Sequence, residues 1–539
     1  MSAPGDELVG PGARLVDAGS GCVLAGAALR ARVDSLADEL RRLAAGVLFV
    51  RMRTDLSSVL RYLGAFTARR PVALLDAAQP DLAALTARFA PVAVLGAPVG
   101  AAPPRGYRHA DVAGPAWVRI GSAAPPHPAL AVLLSTSGST GDPRLVRLSR
   151  AAIVANADAI AEVLDISADD LAVTSLPLHY SYGMSVLNSH LRRGAGILIE
   201  SSGVAERAFW QAVGTYRATA LAGVPFHYDM LDLLRIDLTA YPSLRVLTQA
   251  GGRLPPGRAV DFERRLRAVG GRFHVMYGQT EAGPRMATMP AGGIADKPGS
   301  VGPALPGGEF RILTDNGVET ARPGTAGEII YRGPNVMMGY AEQAADLVLG
   351  DLNGGLLRTG DLGWLDEEGF VYVTGRLSRI GKVYGVRVNL DDVERLLRCG
   401  PGARIRSAAV DRGDRVAVFL ENGSDQQRCW AAAELAKRTR THPSAFDVRS
   451  VPVLPLLASG KVDYRALAQA ADASDDGSAP DPVPHGRVRY PHPCRDTPQL
   501  VDAGIPEEGD FVQHSIAGHD PPAGQRLSRG ESRPAGGRR

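Results

Sequence analysis

The sequence predicts an α/β protein: a large N-terminal domain of mostly parallel sheets covered by helices and carrying a small β subdomain, then a small α+β C-terminal domain. Three observations predict it. Short apolar runs alternate with helical segments as far as Ser300, which is the pattern of parallel strands joined by crossover helices. After Ser300 the texture becomes short β-rich pieces separated by Gly and Pro, and beyond Gly375-Arg376 the chain restarts with a fresh mixture of helix and strand. The boundaries that follow are 15–376 for the large domain, 377–470 for the small one, and 471–539 for a tail.

Residues 23–46 carry apolar positions at helical spacing with Arg and Asp between them, and Val47–Val50 begins a strand. Further strand-length apolar runs lie at Pro71–Leu75, Val92–Leu95, Ala129–Leu134, Leu171–Leu176, Gly196–Glu200 and Leu244–Leu247, with a helix expected at Ser149–Leu164. The β subdomain is read from Glu309–Leu313, Gly327–Tyr331 and Gly369–Val373. In the C-terminal domain an amphipathic helix is expected at Leu390–Arg398, with strands at Ser407–Val410 and Arg415–Leu420. From about Asp472 the chain is rich in Pro, Gly, Asp, Ser and Arg with few periodic apolar positions, the composition of a segment that cannot bury enough apolar surface to order itself.

The chain has 539 residues, 45% apolar and 22% charged, with a formal net charge of +3. That balance is ordinary for a globular protein and gives no basis for nucleic-acid binding. Cys22, Cys399, Cys429 and Cys494 form no C-x-x-C pair, which argues against a metal ribbon or a disulfide framework and suits a reducing cytoplasm. No basic patch precedes an apolar core at the N-terminus, and no apolar run approaches membrane-spanning length. The expected location is therefore cytoplasmic, with no membrane span.

The chemistry concentrates in Leu134-Ser-Thr-Ser-Gly-Ser-Thr-Gly-Asp-Pro-Arg144, where five hydroxyl side chains and two glycines follow a buried strand. Gly138 and Gly141 free the backbone to turn its N–H groups onto phosphate oxygens, Thr136, Ser137, Ser139 and Thr140 add donors, and Arg144 adds charge. The spacing is not that of a Walker loop, because no Lys-Ser/Thr follows. Alone, such a stretch also suits a flexible surface loop. Further segments stand downstream in order: Tyr277-Gly-Gln-Thr-Glu281, Arg358-Thr-Gly-Asp-Leu-Gly363, Gly375-Arg376 with Gly385-Val-Arg387, and Ser459-Gly-Lys461.

As a set these segments resemble the adenylate-forming superfamily of acyl-CoA synthetases, peptide-synthetase adenylation domains and luciferases, over about residues 20–470. The resemblance implies that the 136–144 loop wraps the β- and γ-phosphates of ATP, with Arg144 in place of the usual lysine and Thr136 near the metal. It implies that Tyr277 stacks on adenine beside Gly278, that Thr280 bonds the α-phosphate, and that Glu281 holds Mg2+, an ion that prefers hard carboxylate oxygens. Asp361 would accept from the ribose hydroxyls, Arg376 would contact the nucleotide, and Lys461, on a mobile C-terminal loop, would bridge the attacking oxygen and the α-phosphate. Family members swing the C-terminal domain between two half-reactions about a hinge that falls here at Ser378, where most have Asp or Lys. The loop of Gly385 and Arg387 would serve the second step.

Leu176-Pro-Leu-His179-Tyr-Ser-Tyr-Gly183 resembles the segment that gates the acyl pocket, with Phe226, His227, Gly251, Gly252 and Gly283-Pro284 as further wall candidates. The expected activity is ATP-dependent ligation. A carboxylate, with a small or aromatic acid favoured, becomes an acyl-adenylate with release of pyrophosphate, and the acyl group then passes to the thiol of CoA or of a carrier protein, in bacterial secondary metabolism such as antibiotic biosynthesis. Two alternatives remain open: activation of nitrite with diazotisation of an aryl amine, and an inactive scaffold relative.

Overall fold

A computed structural model describes residues 5–78, 82–135, 144–383, 386–398, 405–413, 415–439, 441–457 and 460–473. Two eight-stranded sheets dominate. In the first, Arg272–Tyr277, Val246–Gln249, Ala220–Gly223, Leu171–Val173, Gly196–Ile199 and Arg14–Asp17 run parallel in that order, with an antiparallel strand at each edge. In the second, only Leu130–Ser135, Val72–Asp76, Leu48–Met52 and Ala93–Leu95 run parallel.

The mostly parallel expectation therefore holds for the first sheet and is corrected for the second. Its outer strands, Gly339–Ala341 with Leu145–Ser149 on one side and Pro115–Arg119 with Tyr107–Asp111 on the other, all pair antiparallel. Tyr107–Asp111 and Pro115–Arg119 form a hairpin joined by residues 112–114, whereas Gly339–Ala341 reaches Leu145–Ser149 from far along the chain. Inner strands such as Ala93–Leu95 and Gly196–Ile199 are buried along their whole length, as strands covered on both faces must be.

Between the sheets lie two helices that set up the site. Arg150–Val163 starts where the Ser149 hydroxyl accepts from Ala152 N–H at 3.0 Å, a side-chain cap for an otherwise orphaned donor. Ser181–Arg192 is buried on nearly every face, which explains its mixture of Met184, Leu187 and Leu191 with small residues. The strand expected at Leu171–Leu176 stops at Val173, because the Thr174 and Ser175 hydroxyls donate to the Glu200 and Ala222 carbonyls and Pro177 lacks a ladder donor. The strand expected at Leu244–Leu247 lies two residues later, at Val246–Gln249.

A five-stranded antiparallel sheet, Glu309–Leu313 to Val371–Arg376, forms the expected β subdomain. After the one-turn 3-10 helix Leu377–Arg379 come a hairpin, Ile380–Val383 with Val386–Asn389, and a three-stranded sheet, Ser407–Asp411, Val416–Glu421 and Phe446–Val451. The helix Leu390–Leu397 packs Leu390, Val393 and Leu397 into that lobe's own core. The final described helix, Tyr464–Ala473, carries order slightly past residue 471, and the remainder of the tail lies outside the described residues. Among the described residues no helix is long and apolar enough to cross a membrane.

Candidate active site

The site lies where the parallel strands of the first sheet end at their carboxyl edge, the place where loops of an open α/β sheet converge. Arg272–Tyr277 delivers Tyr277, and the chain turns at Gly278 because a Cβ there would stand 1.8 Å from the Pro284 carbonyl oxygen. Only glycine fits. The turn leads into the 3-10 helix Thr280–Ala282.

Asp361 is 2% exposed and fully engaged. Its Oδ2 accepts from the Tyr277 hydroxyl at 2.5 Å and from Gln279 Nε2 at 2.7 Å, while its Oδ1 accepts from Arg376 Nε at 2.6 Å. Three motifs separated by up to a hundred positions thus close on one carboxylate. The phenol of Tyr277 is raised well above its ordinary value, first by burial and then by the Asp361 charge.

Thr280 and Glu281 stand beside this cluster. The Thr280 and Ser181 hydroxyls are 3.0 Å apart, and Glu281 Oε1 accepts from the Tyr340 hydroxyl at 2.8 Å. The Arg144 guanidinium stacks 3.9 Å over the Tyr340 ring, and its Nε has no hydrogen-bond partner among the described residues. Thr136, Ser137, Gly138, Ser139, Thr140 and Gly141 lie outside the described residues.

From the C-terminal lobe, Lys461 enters on a tight turn in which Gly460 N–H donates to Leu457 C=O and Leu457 N–H to Lys461 C=O, both at 2.8 Å. Gly460 takes φ +75°, and a Cβ there would press on Val224 at 3.0 Å. The Lys461 Nζ lies 5.6 Å from the Tyr180 ring centroid, and its Cε lies 3.6 Å from where a Cβ on Gly251 would stand. Burial, reinforced by Arg376, lowers the ammonium to about 8, with Glu281 and Asp361 pulling the other way. One lysine therefore senses three residues that the sequence assigned to the nucleotide site.

The pocket candidates divide. Gly251, at φ +75°, approaches the Tyr180 hydroxyl so closely that a Cβ would lie 2.6 Å from it, and Gly252 packs on Pro225. Phe226 lies against Gly460. His227 instead ties its Nε2 to the Ser175 carbonyl at 2.9 Å, a bond that holds the end of the strand. His179 is half-buried, 3.8 Å from Asp76 of the second sheet, and burial pushes its imidazole down. The Pro284 carbonyl packs against the Gly278 turn, and Gly283 lies against the Asn335 carbonyl.

Ser378 is exposed within Leu377–Arg379. Arg387 belongs to the strand Val386–Asn389, and Gly385 lies outside the described residues. Sequence reasoning did not single out Gln279, Ser181, Tyr340 or Arg285 as site residues. The first two sit inside quoted motifs; for Arg285 the available signal was a lone arginine in the otherwise apolar run Pro284-Arg-Met-Ala-Thr-Met289.

The sequence pattern described as AMP-binding enzyme matches residues 18–341, a span that includes Arg144, Tyr277, Thr280 and Glu281. The chain belongs to the AMP-binding enzyme family. Among curated relatives, an indoleacetate–CoA ligase of Aromatoleum aromaticum is 33% identical over 56% of this chain and 58% of its own length. An oxalate–CoA ligase of Arabidopsis thaliana is 29% identical over 63% of this chain and 67% of its own length. The chain thus spans about three-fifths of the curated relatives it matches. Among solved structures, ATP-bound MatB from Rhodopseudomonas palustris superposes with a TM-score of 0.68 at 22% identity, covering 86% of this chain and 97% of that one. The o-succinylbenzoate coenzyme A synthetase of Bacillus subtilis with AMP gives 0.65 at 21% identity, covering 85% and 95%. These likenesses show that this AMP-binding enzyme has their fold across both lobes.

Proposed function

We propose that this AMP-binding enzyme is an ATP-dependent acid–CoA ligase that works through an acyl-adenylate. The single observation that carries the proposal is the position of Lys461, whose Nζ lies 5.6 Å from the Tyr180 ring and whose Cε stands beside Gly251, within the electrostatic influence of Glu281, Asp361 and Arg376. The relatives support it by name: indoleacetate, oxalate and 2-succinylbenzoate ligases all join an acid to CoA. Their acids differ widely, so the shared feature is the reaction.

In the first half-reaction a carboxylate oxygen bonds to the α-phosphorus of ATP and the bond to pyrophosphate breaks. Bringing two anions together requires positive charge placed in advance, which costs no reorganisation at the moment of reaction. Lys461 supplies a compact ammonium to the bridging oxygen, Thr280 a hydroxyl to the α-phosphate, and Arg144 a guanidinium toward the β- and γ-phosphates. Arginine offers a planar fork where lysine offers a point charge. Tyr277 and Asp361 form the nucleoside wall, with Arg376 beside it. Glu281 fits a magnesium ion carried on the phosphates: one of its oxygens is taken by Tyr340, and among the described residues no cluster of three or more ligating side chains competes for such an ion. That ion, when bound, neutralises phosphate charge.

In the second half-reaction the CoA thiol attacks the acyl carbon and AMP leaves. We assign the exchange between steps to rotation of residues 377–470 as a small domain about Ser378, which withdraws Lys461 and brings up the Gly385 and Arg387 loop. An exposed Ser378 in a single 3-10 turn, flanked by separately cored lobes, supports a hinge there.

The test is pyrophosphate release by the full chain with ATP and Mg2+, using a panel of acids with and without CoA. Acid-dependent release that CoA increases is the expected result. Release that required nitrite, with an aminobenzoate converted to a diazo product, would replace thiol ligation by diazotisation, and no release with any substrate would make the chain an inactive relative.

A further inference from the structure

Among the described residues, Arg147 and Arg285 are almost wholly removed from water, and they are held in opposite ways. Arg147 donates to the carbonyls of Met338, Tyr340, Leu349 and Gly350, so its charge is solvated by backbone dipoles. Arg285 is 2% exposed, yet its Nε, Nη1 and Nη2 have no hydrogen-bond partner among the described residues. The Tyr182 ring lies 4.5 Å beneath the guanidinium. A cation–π contact offsets part of the desolvation of a buried cation but satisfies none of its five donors.

The backbone at this position is clamped. The Arg285 carbonyl accepts from Asn156 Nδ2 at 2.8 Å and from Asn335 Nδ2 at 3.0 Å, and its Cα packs on the Gly278 turn. The side chain lines a cavity of about 20 Å³ with His190, Thr248, Val186 and Ala222, between the helix Ser181–Arg192 and the first sheet. That is room for little more than one water-sized centre. Of the neighbouring polar groups, Asn156 Oδ1 and His274 Nε2 have no hydrogen-bond partner among the described residues, and others are committed. Tyr182 donates to Thr248, Asp170 is held by Ser167, Thr219 and Arg245, and burial lowers His190 and His274 to about 4, so both imidazoles are neutral near pH 7.

A buried guanidinium without a counter-charge is costly unless something that binds there supplies one. We propose that Arg285 is the receptor for a planar two-oxygen anion carried by the substrate: a second carboxylate on the activated acid, or nitrite. The guanidinium fork matches such an anion bidentately. The location fits, because Arg285 follows Glu281 by four residues and Lys461 is reached from it across two rings, Tyr182 and Tyr180, whose centroids are 6.3 Å apart. The cavity as it stands has room for about one water, so the anion enters only with a shift of the Tyr182 ring beneath Arg285 or of the Val186 side chain that lines it. This inference rests on the ligase reading for its reaction, but not for its anion.

The experiment combines ATP–pyrophosphate exchange with thermal unfolding of the full chain, for wild type, Arg285→Met and Arg285→Lys. The probes are succinate and phthalate, the size-matched monoacids butyrate and benzoate, and nitrite. Succinate or phthalate driving exchange well above their monoacid counterparts identifies a second carboxylate, and nitrite alone driving it identifies nitrite. In either case Arg285→Met should lose about 100-fold in kcat/KM for that anion, Arg285→Lys should lose less, and neither should lose exchange with monoacids. Without ligand, Arg285→Met should melt no lower than wild type, because it removes an unpaired charge. Monoacids driving wild type best, with Arg285→Met unchanged toward every probe, overturns the proposal and leaves the ligase standing. An anion that raises the melting temperature of wild type but not of Arg285→Met, without any exchange, upholds the receptor and overturns the ligase. Neither shift nor exchange overturns both.

Discussion

Lys461 Nζ lies 5.6 Å from the ring centroid of Tyr180, two residues whose positions in the chain differ by more than half its length. The contact brings the ammonium of the C-terminal lobe against the start of the helix Ser181–Arg192, where burial and Arg376 lower it to about 8.

The lysine's charge state should therefore govern adenylation. Below pH 8 the ammonium is present, and above it the neutral amine accumulates, so acid-dependent exchange should fall through an alkaline limb near pH 8. Lys461→Arg should lack that limb. Lys461→Ala should lower exchange by roughly 10²–10³-fold, the cost of removing one preorganised donor, while ATP binding stays measurable. The stability effect has the opposite sense. An amine lowered in the folded state makes the unfolded chain bind more protons between pH 8 and 10.5, so stability gains from this group across that window. Exchange that rises steadily to pH 10 would contradict the assignment.

Asp361→Asn should weaken ATP binding and destabilise the fold together. The aspartate neutralises Arg376 and accepts from Tyr277 and Gln279, and an amide cannot do all three. The expected cost is about 2–4 kcal/mol, intermediate between losing a charged hydrogen bond and breaking a buried pair. Denaturant titration and a KM for ATP measure the two parts.

Gly278→Ala should be among the most damaging single-atom additions in the chain. Its Cβ would meet the Pro284 oxygen at 1.8 Å and the Arg285 Cα at 2.8 Å, both backbone positions. A loss on the order of 3 kcal/mol or more is expected, with weakened nucleotide binding because Thr280 and Glu281 follow directly. A variant that melts like wild type would mean the turn has room to shift.

Glu394→Ala should loosen the C-terminal lobe. Glu394 accepts from Arg379 at 2.6 Å, from Ala409 N–H at 2.8 Å and from Tyr464 at 3.1 Å, and Arg379 stacks 3.9 Å over the Tyr464 ring. Removing the carboxylate leaves Arg379 with Asp391 alone, at about 3 kcal/mol. Because Arg379 lies one residue after Ser378, the variant should impair both half-reactions, which exchange and CoA-dependent release read separately.

Much of this was legible in the sequence. The apolar runs located most buried strands within a residue or two, because a strand covered on both faces excludes polar side chains, and Ser149 marked its helix start through the capping hydroxyl. Strand direction was not legible where it mattered. Pro115–Arg119 and Leu145–Ser149 are not among the apolar runs that the sequence marks out, and their antiparallel pairing with Ala93–Leu95 and Leu130–Ser135 is visible only in the fold.

What the sequence alone determined, then, is composition along the chain: which stretches bury themselves, where a glycine must turn the backbone, and which residue types suit phosphate, magnesium and a diol. What only the tertiary structure decided is which of those groups meet. Asp361 closes on Tyr277 and Arg376, Lys461 crosses from another lobe, and Arg285 is left charged and unpaired beside a small cavity. The reason is physical: local propensity and periodicity act over a few residues, whereas desolvation, charge pairing and packing depend on distances between segments far apart in the chain.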